Sequence, residues 1–137
     1  MTPRTEVEVG SPTRRARLDE AALAAWGRRI GEEADAPLFL ALRGSLGAGK
    51  SVLARAIARG AGVEGHIPSP TYNLLFRYHA TRGRWIVHLD LYRLSGAGEL
   101  RELGWDELGA DDEMVLVEWP ERATATDATG PDDSSAR

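Results

Sequence analysis

The 137-residue sequence predicts an α/β fold with a mixed, mainly parallel sheet that includes an antiparallel hairpin. The apolar run 38–42 is typical of a parallel strand covered on both faces, and a glycine-rich loop and a helical pattern follow it. Two strand-like segments, 72–79 and 85–92, flank the turn-forming residues 80–83 and predict the hairpin. The short apolar run 114–117 completes the sheet as a last buried strand.

The N-terminal part predicts one strand and one helix. Residues 1–12 alternate weakly at Val7 and Val9, which indicates an edge strand. Asp19 is a suitable N-cap for a helix that continues to about Glu33. The apolar stripe of this helix is expected to be Leu23, Trp26 and Ile30. An exposed loop before the helix is expected to hold the basic residues Arg14, Arg15 and Arg17.

The central part predicts a helix over 50–59, with Gly60 at its C-terminal cap position. Residues 68–71, Pro-Ser-Pro-Thr, should be extended because two close prolines exclude regular structure. A short helix over 97–103 and a further helical turn over 105–108 are expected before the last strand.

Composition predicts a single domain over 1–122 and a disordered tail over 123–137, whose polar, low-complexity residues cannot build a core. With no cysteine, the sequence excludes disulfides, thiolate metal sites and a cysteine nucleophile. The net charge of −4 argues against a broad nucleic-acid surface. The absence of a membrane-span pattern and of a signal-like segment predicts a cytoplasmic protein without membrane contact. Three histidines lack metal-ligand spacing and are expected to be structural or exposed: His66, His79 and His88.

Lys50, the only lysine of the chain, lies in Gly-Ser-Leu-Gly-Ala-Gly-Lys-Ser over residues 44–51. This segment matches the pattern G-x-x-x-x-G-K-[ST], in which backbone N–H groups surround phosphates, the ammonium reaches them and the hydroxyl binds Mg²⁺. A strand before the loop and a helix after it complete an anion site. We therefore predict nucleotide binding by Leu46, Gly47, Ala48, Gly49, Lys50, Ser51 and Val52.

Two acids follow apolar strands, Asp90 after 86–89 and Glu118 after 115–117. Ligands of open α/β sheets lie at the carboxyl ends of strands, so both acids are expected near the phosphate loop. With Ser51 they would supply hard oxygen ligands for Mg²⁺. One of them could instead position or deprotonate the attacking water. The alternative is that each acid only marks a strand end, and the sequence does not assign the two roles.

Four segments together resemble the TsaE (YjeE) family, in order and approximate spacing, from about Asp19 to Arg122. They are Gly44–Ser51, Ser69–Tyr72, Asp90–Arg93 and Val117–Pro120. The resemblance implies a P-loop NTPase-like three-layer sandwich and an ATPase required for threonylcarbamoyl modification of tRNA adenosine. It implies ATP and Mg²⁺ as cofactors and the TsaD and TsaB proteins as partners, with no direct tRNA binding expected from the acidic chain.

By motif position, the resemblance assigns Lys50 and Ser51 to phosphate and magnesium, Asp90 to an essential aspartate and Glu118 to a magnesium-associated glutamate. It assigns Thr71 to a switch-like threonine and Trp119 to a tryptophan near the nucleotide. From the residues alone, a threonine in a proline-braced loop equally fits a turn former, and Trp119 equally fits core packing.

The chain departs from the family pattern at Ser45, where the family usually has an acid, and after Arg122, where family members continue into two further strands. An uncovered apolar sheet edge is therefore expected. Three functions stay open: an ATPase acting through partners, a nucleotide-gated assembly factor with little turnover, and a small-molecule kinase.

Overall fold

The computed structural model describes residues 4–7, 14–45, 47–68 and 74–123. Its elements in chain order are β1 (Arg4–Val7), β2 (Arg14–Arg17), α1 (Glu20–Glu33), β3 (Leu38–Leu42), α2 (Lys50–Gly60), β4 (Leu75–His79), β5 (Trp85–Asp90), α3 (Ala97–Glu102), a 3₁₀ helix (Trp105–Glu107) and β6 (Glu113–Glu118). No helix within these ranges combines the length and the apolar character needed to cross a bilayer.

A four-stranded sheet in the order β3-β6-β5-β4 forms the middle layer. β3 and β5 run parallel to β6, and β4 pairs antiparallel with β5, so the predicted mixed sheet and its hairpin are confirmed. Helices α1 and α2 cover one face of the sheet through one apolar cluster, and the segment containing α3 and the 3₁₀ helix covers the other face through a second cluster. The result is the predicted three-layer sandwich.

Helix α1 begins at the predicted cap, because the Asp19 side chain accepts a hydrogen bond from the Ala22 N–H at 2.8 Å. Helix α2 ends differently from the prediction. Gly60 is its last helical residue and Ala61 is the cap. A Cβ on Gly60 would lie 2.0 Å from the Arg28 carbonyl oxygen, so the glycine serves the close approach of α1 and α2.

β3 departs from the expectation of a strand covered on both faces. Among the described residues it lies at one edge of the sheet, paired only with β6. Phe39 is 51% exposed, although its ring meets Trp105 edge to face at 6.1 Å between centroids. Phe39 and Ala41 lie on the same face of β3 and are both exposed, so that face is not covered by the described residues, and an apolar run alone does not report coverage of both faces.

The N-terminal segment forms a separate two-stranded antiparallel ribbon, β1 with β2. The strand predicted within 1–12 is thus present over 4–7, whereas the loop predicted for Arg14, Arg15 and Arg17 is wrong because these residues form β2. Backbone pairing satisfies N–H and C=O groups whatever the side chains are, so the arginine-rich composition gave no strand signal.

The remaining bounds differ from the predictions by one or two residues, except that β4 begins at Leu75, three positions after the predicted start at 72. β5 ends at Asp90 rather than at 92, because the Asp90 carboxylate accepts a hydrogen bond from the Tyr92 N–H at 3.0 Å and turns the chain. Ala123, the first residue of the predicted tail, is buried against the second cluster, so the packed part of the chain continues one residue beyond the predicted bound at 122. Residues 69–73 and 124–137, which include the proline-braced segment and nearly all of the predicted tail, lie outside the described part.

Candidate functional site

The predicted phosphate loop connects the end of β3 to the first residue of α2, as its chemistry requires. Gly49 is the N-cap of α2 at φ 99°, where a side chain would be strained. A Cβ on Gly49 would also lie 2.7 Å from the Leu23 Cδ2 atom of α1. The N–H groups in the first turn of α2 have no partner within the helix and therefore form an anion-binding end.

Lys50 is buried at the start of α2, with 8% of its surface exposed. Its ammonium donates hydrogen bonds to the carbonyl oxygens of Gly44 at 2.7 Å and Ser45 at 2.8 Å. Burial lowers the pKa of Lys50 from its ordinary value, and the nearby carboxylates of Glu118, Glu121 and Asp90 oppose that shift. The loop thus holds one partly desolvated cation on its own carbonyl groups.

Ser51 and the two predicted acids converge beside this cation. The Ser51 hydroxyl lies 3.0 and 3.2 Å from the two carboxylate oxygens of Glu118. Asp90 and Glu118 are directly opposite each other on the parallel strands β5 and β6. Burial raises the pKa of Asp90 above its ordinary value; the hydrogen bond from the Tyr92 N–H opposes this rise and the Glu118 charge adds to it. Two acids side by side in a partly buried place favour a cation between or beside them.

Trp119 follows β6 with φ at 59°, a left-handed conformation that is rare for a bulky residue. Its ring centroid lies 4.3 Å from the Lys50 ammonium and 4.9 Å from the ring of Tyr92. The guanidinium of Arg122 lies 5.0 Å from the Tyr92 ring. Trp119 also packs against the second apolar cluster, so it both contacts the core and borders the loop lysine.

A cleft of about 360 Å³ opens over these groups. It is lined by Leu18, Glu20, Leu23, Gly47, Ala48, Gly49, Lys50, Ser51, Val52, Asp90, Tyr92, Glu118 and Trp119. Nine predicted site residues are therefore together, while Leu46 and Thr71 lie outside the described residues. Within the described ranges, no group of three or more His, Cys, Asp or Glu side chains could hold a metal ion. A cation here would need the Ser51 hydroxyl and ligand oxygens in addition to carboxylates.

Sequence reasoning missed the contact that His88 makes. His66 and His79 are exposed and His88 is buried at 2% exposure, which agrees with the prediction of structural or exposed histidines. The unforeseen feature is that the His88 Nε2 atom lies 2.7 Å from the Glu118 Oε2 atom. The available signal was strand periodicity, since His88 precedes Asp90 by two positions and therefore shares its face of β5.

Comparison with known proteins gives consistent results. The chain is 35% identical over 109 residues to a Haemophilus influenzae protein named tRNA threonylcarbamoyladenosine biosynthesis protein TsaE, a match covering 76% of this chain and 68% of that protein. Proteins of the same name from Streptomyces coelicolor and Mycobacterium tuberculosis are 40% and 45% identical, each over 69% of this chain and over 65% and 61% of their own lengths. The chain therefore matches about two thirds of the length of these relatives.

The crystal structure of Bacillus subtilis YdiB superimposes with a TM-score of 0.57 at 20% identity, covering 92% of this chain and 71% of that one, and supports the fold. The profile of the family described as "Threonylcarbamoyl adenosine biosynthesis protein TsaE" matches residues 18–135. Because that match spans most of the sequence, the chain belongs to the TsaE family.

Proposed function

We propose that the chain binds and hydrolyses Mg–ATP in support of the TsaD–TsaB complex that carries out threonylcarbamoyl transfer in tRNA modification. The observation that carries the proposal is the position of the Lys50 ammonium. It sits at the N-terminus of α2, beside Ser51, Asp90 and Glu118, in a cleft whose volume of about 360 Å³ lies within the range of small-ligand sites.

The residues present fit a triphosphate. Lys50 would exchange the carbonyl oxygens of Gly44 and Ser45 for phosphate oxygens, which are stronger partners for an ammonium. The N–H groups of Lys50, Ser51 and Val52 at the start of α2 would bind the same anion. Trp119 shields the ammonium from water on one side, which strengthens its electrostatic interaction with phosphate.

The residues also fit Mg²⁺. A Ser51 hydroxyl that donates its hydrogen to Glu118 keeps its lone pairs free for a cation, and the partly desolvated Asp90 carboxylate lies opposite Glu118. Bound Mg²⁺ would neutralise the charge that develops on the phosphate oxygens. We assign metal binding to Ser51, Glu118 and Asp90, and we assign to Asp90 the further role of orienting the attacking water. Thr71 is proposed as the nucleotide-sensing switch residue on the basis of its motif alone.

Phosphate release from Mg–ATP by the purified chain, alone and with TsaD–TsaB, tests the proposal. Lys50→Ala should reduce the rate by about 100-fold or more, because the transition-state charge loses its main cation. The matched control is Arg59→Ala, which removes a cation from the far end of α2 and should leave the rate unchanged. Equal rates for Lys50→Ala and the unmodified protein would refute the assignment.

A second function is favoured by the way the loop holds its own lysine. Because Lys50 is already bonded to Gly44 and Ser45, nucleotide binding could serve mainly to rearrange the loop, with assembly of the partner complex as the result. Normal ATP binding without turnover in the presence of TsaD and TsaB would establish this nucleotide-gated assembly role.

For the two acids, Glu118→Ala should weaken Mg²⁺-dependent ATP affinity, and Asp90→Ala should mainly slow hydrolysis.

A further inference from the structure

His88 is a buried polar residue that the proposed reaction does not use. Its side chain and that of Glu118 are 2% and 3% exposed, and the atoms Nε2 and Oε2 are 2.7 Å apart. A buried imidazole is costly unless it is hydrogen-bonded, and Glu118 is the partner of the His88 side chain in this structure. The position of His88 in the site therefore depends on its contact with Glu118.

The strand places His88 on the face of the sheet that carries the site. Its neighbours Val87 and Leu89 belong to the cluster under α3, whereas Ile86 belongs to the cluster under α1 and α2. Side chains alternate along a strand, so His88 points with Ile86 and Asp90 towards α2. It lies between the apolar core and the carboxylate end of the cleft.

The short contact between His88 Nε2 and Glu118 Oε2 has one direction that suits a metal-binding carboxylate. A carboxylate in its ionised form only accepts hydrogen bonds, and in that arrangement the Nε2 atom of His88 is the donor. The same carboxylate accepts the Ser51 hydroxyl, at 3.0 Å to Oε1 and 3.2 Å to Oε2. His88 and Ser51 together engage both oxygens of Glu118, which fixes the orientation of the carboxylate.

We propose that His88 is a positioning residue that holds the Glu118 carboxylate against Ser51 and thereby preorganises the metal end of the nucleotide site. The proposal rests on the proposed Mg–ATP function. Outer groups that orient metal ligands typically contribute 10–100-fold to metal affinity, and a single hydrogen bond to a partly solvated site belongs near the lower end, at about 10-fold.

Two variants of similar size separate the hydrogen bond from packing. His88→Gln keeps a side-chain N–H donor, while His88→Leu fills the space without one. Calorimetric titration with ATP, in Mg²⁺ and in EDTA, measures how much Mg²⁺ strengthens ATP binding. In His88→Leu we expect this gain to fall about 10-fold, with ATP affinity in EDTA within about twofold of the unmodified protein, and we expect His88→Gln to recover most of the gain.

Nitrogen-15 NMR of the imidazole in the nucleotide-free chain gives an independent measurement, with the proton expected on Nε2. An unchanged Mg²⁺ gain in His88→Leu, an equal loss in both variants, or a proton on Nδ1 alone would each overturn the proposal. If His88→Leu does not fold, the behaviour of His88→Gln and the NMR result still decide. Failure of the proposed function is distinguishable, because the unmodified protein would then show no Mg²⁺ gain while the NMR result stands by itself.

Discussion

Replacement of Gly31 by alanine tests the packing that holds α1 against α2 and, through α1, against the phosphate loop. A Cβ at this position would lie 2.0 Å from the Ile57 carbonyl oxygen and 2.6 Å from the Ala61 nitrogen. Both are backbone atoms of α2 and its cap, which cannot rotate away as a side chain could. The two helices must therefore separate by roughly 1 Å, and such overpacking costs about 3 kcal/mol at the upper end of its usual range.

Alanine also favours the helical conformation over glycine by about 1 kcal/mol, so the net loss of unfolding free energy for Gly31→Ala should be about 2 kcal/mol. The matched control is Gly98→Ala in α3, where the nearest atom to a new Cβ is a flexible Arg101 nitrogen at 3.9 Å. The control should be neutral or more stable by up to about 1 kcal/mol. Urea unfolding followed by far-UV circular dichroism measures both changes.

The same substitution is thus expected to lower the unfolding free energy at Gly31 and to leave it unchanged or raise it at Gly98. A Gly31→Ala variant as stable as the unmodified protein, or a shift in the same direction for both variants, would refute the reasoning. The functional consequence follows from Leu23, which lies against Gly49 of the loop. Displacement of α1 should weaken ATP binding in Gly31→Ala and leave it unchanged in Gly98→Ala.

Three further predictions concern charge and backbone conformation. Burial acts to raise the pKa of Glu113, but hydrogen bonds from Arg77 and two backbone N–H groups outweigh burial and lower the pKa. Glu113 therefore stabilises the folded protein at pH values above the ordinary glutamate pKa, and this stabilisation is lost as pH falls through the lowered pKa. Glu113→Gln should lose about 1–2 kcal/mol of unfolding free energy at pH 7, and its unfolding free energy, measured with urea, should fall less steeply as pH is lowered. A loss of the same size at all pH values would contradict this account. The pKa of Asp90 shifts in the opposite direction, because burial raises it. Its contribution to the free energy of unfolding is therefore most favourable at pH values below the ordinary aspartate pKa and declines as pH rises through the raised pKa. Asp90→Asn should thus be more stable than the parent at neutral pH, with the difference vanishing in acid, while phosphate release is lost; a less stable variant at pH 7 would be inconsistent. Because Trp119 has φ 59°, the Trp119→Gly variant should be more stable than the Trp119→Ala variant by about 1 kcal/mol in thermal unfolding. A more stable Trp119→Ala variant would show that the fold does not impose the left-handed conformation at this position.

The features that the sequence predicted correctly depend on neighbouring residues. The Asp19 cap, the glycine loop before Lys50 and the hairpin are each encoded within a few positions, so local patterns were sufficient. The parallel strand ends that bring Asp90 opposite Glu118 followed from a general rule of α/β sheets.

The features that were missed depend on contacts between distant segments. Gly60 resembles a helix cap in the sequence, and only its approach to the Arg28 backbone reveals its role. The pairing of His88 with Glu118 joins residues 30 positions apart, and strand periodicity gives a face but no partner. The exposed face of β3, at Phe39 and Ala41, depends on which distant elements pack over the strand in the described part of the chain, and apolar composition does not encode that.

The ammonium of Lys50 has consequences for the kinetics of any anion that binds there. Since two carbonyl oxygens of its own loop already surround it, an incoming phosphate displaces existing partners, and the affinity measures the difference between two sets of contacts. When the ligand departs, the carbonyl oxygens can take the cation back, so no isolated charge is left behind. These carbonyl oxygens therefore compete with any bound anion for the ammonium, which limits how tightly that anion is held.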